Sequence, residues 1–103
     1  MGLMTKLKQF TFKMKQRWLK PNEYCKQVTP KDLLVIHFTA GYGDGAATGD
    51  WFDMQPGAIA TAYSTSKDGT LVELFGPAYW AYHLGSSLKN EMRSIGNEVC
   101  CIG

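Results

Sequence analysis

The stretch Leu33-Leu34-Val35-Ile36-His37-Phe38-Thr39-Ala40-Gly41 decides how the chain reads. Four consecutive aliphatic residues, set off by Pro30-Lys31-Asp32, predict a short buried strand. On a strand, Leu34, Ile36 and Phe38 share one face and Val35 and His37 the other, so both faces carry apolar residues. The glycines at 41, 43, 45 and 49 make the next stretch a loop, with a short helix around residues 46–52.

Toward the C-terminus, Pro56-Gly57 reads as a turn. Residues 59–66 and 70–75 then flank Lys67-Asp68-Gly69, and Asp-Gly between two strand-like runs predicts a hairpin. An aromatic loop comes next at 77–84, then a polar stretch to Arg93, and the chain closes on a strand-like run at 95–102. Toward the N-terminus, Leu3, Leu7, Phe10, Met14 and Trp18 recur at helical spacing before Pro21. They predict a basic amphipathic helix, although Phe10, Phe12 and Met14 also alternate as a strand would. There is no internal repeat. The predicted class is α/β (α+β), a mixed β-sheet flanked by helices.

The chain has 103 residues, 45% hydrophobic and 19% charged, which fits one domain and excludes collagen-like, low-complexity and disordered classes. No apolar run approaches the roughly 20 residues of a membrane span. Met1 to Lys8 is too polar for a signal peptide, so the expectation is synthesis in the cytoplasm. The net charge of +2 is unevenly spread: residues 1–31 hold eight basic residues against Glu23, and residues 32–103 hold three against eight acids. Such a basic arm suits a polyanion, whether nucleic acid, anionic lipid or anionic wall polymer; the plainer reading is a solvated extension. Cys25, Cys100 and Cys101 cannot all pair within the chain, and no disulfide framework is expected.

Three side chains stand out chemically. His37 sits at a strand end beside a glycine loop, where a neutral imidazole suits a metal or a proton transfer. His83 lies among aromatics and glycine, a setting that suits a sugar or peptide pocket. Glu98 stands alone among apolar neighbours, as a raised-pKa acid or base would. Each has a plainer alternative, a satisfied structural histidine or a solvent-facing carboxylate. His37, His83 and Cys100 could also be combined into a zinc site.

Joined in order, these segments resemble one family. They are residues 34–41; Thr61-Ala62-Tyr63 before Lys67-Asp68-Gly69-Thr70; Leu71-Val72-Glu73-Leu74-Phe75; Tyr79-Trp80-Ala81-Tyr82-His83-Leu84-Gly85; and Asn90 with Arg93-Ser94-Ile95-Gly96 leading to Glu98. The set resembles the type 2 N-acetylmuramoyl-L-alanine amidases, which include phage amidase-type endolysins and are akin to the peptidoglycan recognition proteins. The resemblance covers residues 22–103 and leaves residues 1–21 as a basic N-terminal extension.

It implies a zinc-dependent peptidoglycan hydrolase, phage-encoded and acting at the bacterial cell wall. The bond cleaved would be the amide between N-acetylmuramic acid and the L-alanine of the stem peptide. By resemblance His37 is the first zinc ligand, Glu98 is the catalytic acid–base, and His83, Trp80, Tyr63 and Asn90 bind substrate. Peptidoglycan, rather than nucleic acid, is the partner it implies. The family's second and third zinc ligands lie beyond the Ser-Ile-Gly segment. The expectation is therefore the N-terminal part of such a domain, truncated after that strand and completed by a second chain or by self-association. The alternative is a non-catalytic peptidoglycan-binding module that has lost the metal. Asn97 and Ser64-Thr65 stand where the family carries apolar residues, which predicts weaker strand packing.

Overall fold

The computed structural model describes residues 13–39 and 43–101. Its elements in chain order are β1 (Met14–Gln16), a 3-10 turn (Pro21–Glu23), β2 (Leu33–Phe38), α1 (Gly45–Met54), β3 (Tyr63–Thr65), β4 (Leu71–Glu73), α2 (Leu88–Arg93) and β5 (Ser94–Val99). The strands form one mixed sheet in the order β1-β4-β3-β5-β2. β3 and β4 pair antiparallel across the predicted turn, and the other three pairings are parallel. The fold is thus the mixed α+β class expected. At the hairpin, the Asp68 carboxylate accepts the Thr70 N–H at 2.9 Å and Gly69 takes a φ of 90°, which a side chain would oppose.

Side chains alternate strictly, and the register sorts them into two faces. One row runs Lys15, Val72, Ser64, Glu98, His37 across all five strands; the row beside it on the opposite face runs Met14, Leu71, Thr65, Val99, Phe38. α1 covers the first face. Its N-cap is Asp44, whose carboxylate accepts the Ala47 N–H at 2.8 Å. Gly45 lets the helix press close, since a Cβ there would lie 2.5 Å from Val72 Cγ2. The core is formed by Leu19, Tyr24, Phe52, Val72, Leu74 and Phe75, with the Tyr24 and Phe75 rings stacked at 5.0 Å and Tyr63, Tyr79 and Ile95 packed against it.

Four expectations change. The N-terminal helix does not reach Met14–Gln16, which is strand β1; the Leu71 N–H bonds to Lys13 O, and the Arg17 and Leu19 N–H groups bond to Glu73 O and Leu74 O. The free edge of β4 offers backbone partners that outweigh local helical spacing. Residues 1–12, the rest of that predicted helix, lie outside the described residues. Arg17 further ties this segment to α1 through Asp50 and Asp53, at 2.7 and 2.8 Å. Second, the polar stretch before Arg93 is a helix, α2, capped by Ser87 accepting the Asn90 N–H. Third, β2 is not a buried strand but the sheet edge, held to β5 and clasped by a two-pronged Arg93–Asp32 pair at 2.7 and 3.1 Å. Fourth, the polar residues in the strands are accommodated by hydrogen bonds. Ser64 Oγ donates to Glu98 O at 2.8 Å, and Asn97 donates to Thr65 Oγ1 at 2.9 Å.

Candidate functional site

On the α1 face, His37 and Glu98 are register partners on β2 and β5, so their side chains leave the sheet in the same direction. His83 arrives from the aromatic loop and lies over β5. The loop's backbone is held by Glu91 on α2, a buried carboxylate that accepts the N–H groups of His83, Leu84 and Gly85 at 3.0, 3.0 and 3.2 Å. Space for the ring comes from Gly96, where a Cβ would fall 2.9 Å from His83 Nδ1.

The hydrogen bonds favour one arrangement of the imidazole protons. Ser94 Oγ donates to the Glu91 carbonyl at 3.2 Å, so it accepts from His83 Nε2–H at 2.7 Å. His83 Nδ1 is then an acceptor and takes the proton of His37 Nε2 at 2.9 Å. Both nitrogens of His83 are occupied, and the lone pair of His37 is on Nδ1. Burial keeps His83 below the ordinary histidine range against the pull of Glu91, and His37 and Lys31 add to the lowering. Burial likewise raises Glu98 above the usual carboxylate range, partly offset by His37. The result is a hydrogen-bonded imidazole pair, with burial holding the His83 ring toward its neutral form, beside a carboxylate with an appetite for protons.

Glu98 and His83 open onto a groove of about 430 Å³ whose other walls include Trp51, Phe52, Ile59, Tyr82, Thr48 and Cys100. Trp51, Ile59 and Tyr82 are exposed there, which gives the groove apolar faces with one carboxylate at hand.

The structure therefore brings His37, His83 and Glu98 together and leaves the other three expected residues off the groove wall. Tyr63 precedes Ser64 on β3, so alternation turns it to the opposite face, where its hydroxyl donates to Glu73 at 3.3 Å. Trp80 is buried, bridged to Cys25, and donates its indole N–H to Gln27 Oε1. Asn90 faces its own loop and donates to Ser86 Oγ. The combination of His37, His83 and Cys100 does not form a metal cluster, because the two imidazoles bond each other and the Cys100 thiol lies against Thr48 and Ser64 at 3.5 and 3.6 Å. The three cysteines are free thiols. Missed by sequence reasoning were Glu91, Ser94 and Gly96, the residues that seat His83. Ser94 and Gly96 stand inside the Ser-Ile-Gly segment, but nothing local marks Glu91.

No family profile and no curated protein matches the sequence. Among solved structures the chain is similar to PlyL, with a TM-score of 0.75 at 12% identity, covering 87% of this chain and 58% of that one. It is similar to a mutant endolysin from Bacillus subtilis, at 0.72 and 18%, covering 87% and 62%. It is also similar to the catalytic domain of XlyA, at 0.70 and 19%, covering 84% and 60%. The chain thus spans about three-fifths of the length of these structures. What it shares with them is the fold, that of an endolysin catalytic domain.

Proposed function

We propose that the chain is a peptidoglycan-directed hydrolase domain that acts on the amide between N-acetylmuramic acid and the L-alanine of the stem peptide, with Glu98 as its acid–base. The observation that carries this is the placement of Glu98, register partner of His37, on the wall of an apolar groove in this fold. In this reading Trp51, Ile59 and Tyr82 take up the apolar faces of sugar and peptide. Glu98, held above its ordinary range by burial, accepts the proton of the attacking water and returns it to the departing amine nitrogen. His83 keeps the His37 ring turned so that Nδ1 carries the free lone pair.

A catalytic zinc needs about three protein donors and one open position. His37 Nδ1 can be one donor, but His83 has spent both nitrogens, and no three His, Cys, Asp or Glu side chains converge among the described residues. These residues by themselves do not make the zinc site that the resemblance implies. That observation favours a second reading, a module that binds peptidoglycan without cutting it.

Incubation of the chain with purified cell walls separates the two. New L-alanine amino termini without new reducing sugar ends support the hydrolase. Sedimentation of the chain with the walls, with no new amino termini, supports the binding module. Neither cleavage nor sedimentation would overturn both.

A further inference from the structure

A second groove, of about 710 Å³, lies at the other end of the β2–β5 pair. Thr29 and Asp32, from the segment that enters β2, form one wall, and Leu88, Lys89, Met92 and Arg93 on α2 form the other. Those four fall at i, i+1, i+4 and i+5 and so share one helical face. The walls are tied together. The buried Thr29 hydroxyl donates to Met92 O, Lys31 Nζ donates to the same carbonyl at 2.8 Å, and Arg93 grips Asp32. Charge here runs against the rest of the body: residues 32–103 hold three basic residues against eight acids, and Lys89 and Arg93 are two of the three. Asp32 is the one carboxylate on these walls, and it takes only the Nε and Nη2 donors of Arg93. Among the described residues Lys89 makes no hydrogen bond and Lys31 has no carboxylate partner.

We propose that this groove binds the phosphodiester groups of a polyol-phosphate polymer of the bacterial wall, with Lys89 and Arg93 as the phosphate contacts. A phosphodiester offers charged oxygens to the guanidinium edge that Asp32 leaves open and to the Lys89 ammonium. Met92 and the half-exposed Leu88 give the short carbon links an apolar floor. Burial lowers Lys31 from the ordinary lysine range, and an anion beside it would relieve that cost. No aromatic ring among the described residues lines the groove, so bases would find no stacking platform, which disfavours a nucleic acid. Asp32 is the built-in competitor, since it holds the same guanidinium that the phosphate must reach. From Ser94, beside Arg93, to Glu98 is roughly 13 Å along β5. A polymer held here would therefore keep the chain on the wall and leave the first groove free. The phosphate chemistry stands on this groove alone; the choice of a wall polymer rests on the peptidoglycan reading above.

The test titrates the full 15N-labelled chain with poly(glycerol phosphate) and follows the amides of Asp32, Lys89 and Arg93. Lys89→Glu changes an exposed side chain, and it should weaken binding about ten-fold and lower the slope of log affinity against log salt by about one. Asp32→Asn keeps an oxygen for Arg93 but removes the competing charge, and it should strengthen binding about two- to five-fold. Equal affinity in all three proteins would give the binding to other cations of the chain and overturn the proposal. It would also be overturned if inorganic phosphate matched the polymer phosphate for phosphate, or if a thymidine oligonucleotide of equal phosphate count bound tighter. Release of L-alanine termini from walls stripped of phosphate polymer reads the first groove by itself, so the two readings fail separately.

Discussion

Replacing Gly96 with alanine probes the seat of His83 with a single carbon. The new Cβ would stand 2.9 Å from His83 Nδ1, 2.9 Å from Thr61 Cγ2 and 3.1 Å from His83 Cε1. Relaxed carbon contacts lie near 3.5–4.0 Å, so the ring must retreat by about 0.7 Å. His83 is held at both nitrogens, by bonds of 2.9 and 2.7 Å to His37 and Ser94, and a retreat of that size breaks at least one. Overpacking costs about 1–3 kcal/mol, and one lost hydrogen bond costs about 1 kcal/mol more. Against this, removing glycine from a strand returns about 0.5–1 kcal/mol. The net loss is roughly 1–3 kcal/mol, or a melting temperature about 5–20 °C lower in a domain of this size. Thermal melting reads the stability, and long-range 1H–15N spectra of the imidazoles read the tautomers. A melt within about 2 °C of the parent chain, with both tautomers unchanged, would refute the claim that Gly96 makes room for the His83 ring.

Glu98→Gln should abolish release of L-alanine termini while stability at neutral pH holds or rises, because a half-buried carboxylate has been replaced by a neutral amide of the same shape; retained cleavage would remove Glu98 from the chemistry. Glu91→Ala strips the acceptor from three loop N–H groups and should cost about 3 kcal/mol or more in a urea unfolding curve, with His83 displaced. The pH dependence has a definite sign. His83 is held below its ordinary value of about 6.5, so its contribution to stability is full above that pH and is lost as pH falls through the folded value. Glu98, held high, acts in the opposite sense: its contribution is present below the ordinary carboxylate range and is lost as pH rises through the folded value. Urea midpoints should therefore show the stability gap between the parent chain and His83→Gln narrowing from pH 7.5 to pH 5.5, and a constant gap would contradict the assignment.

Much of the sheet is legible in the sequence because its signals are local. The aliphatic run at 33–36, the Asp68-Gly69 turn and the small residues ahead of α1 each announce one element, and each is found there. Less legible is anything decided by a distant neighbour. Met14–Gln16 has helical spacing, yet the unpaired edge of β4 recruits it as strand. The same holds at the site. His37 and Glu98 are recognisable by type, and their juxtaposition follows once β2 and β5 are paired in register. Tyr63 shows the limit: an attractive ring one residue from the correct parity ends on the wrong face. Glu91 is invisible for another reason, since its role is to satisfy backbone N–H groups of a loop, a need that no side-chain pattern records.

One half of the His37–Glu98 pair belongs to an edge strand, β2, which has a single neighbour. β2 is held by β5 and by the Arg93–Asp32 clasp, whereas β5 is flanked on both sides and β3 lies under α1. Edge elements open at lower free energy than the whole domain. Detachment of β2 would carry His37 away, release the proton it lends to His83 and leave the groove's carboxylate without its imidazole, all while the Leu74 core stays shut. The competence of the groove then follows the population of a partly opened chain and not the global unfolding equilibrium. Backbone amides of Val35 and His37 should exchange with solvent sooner than those of Val72 and Leu74, and binding at the groove should fade at urea concentrations below the midpoint at which the core unfolds.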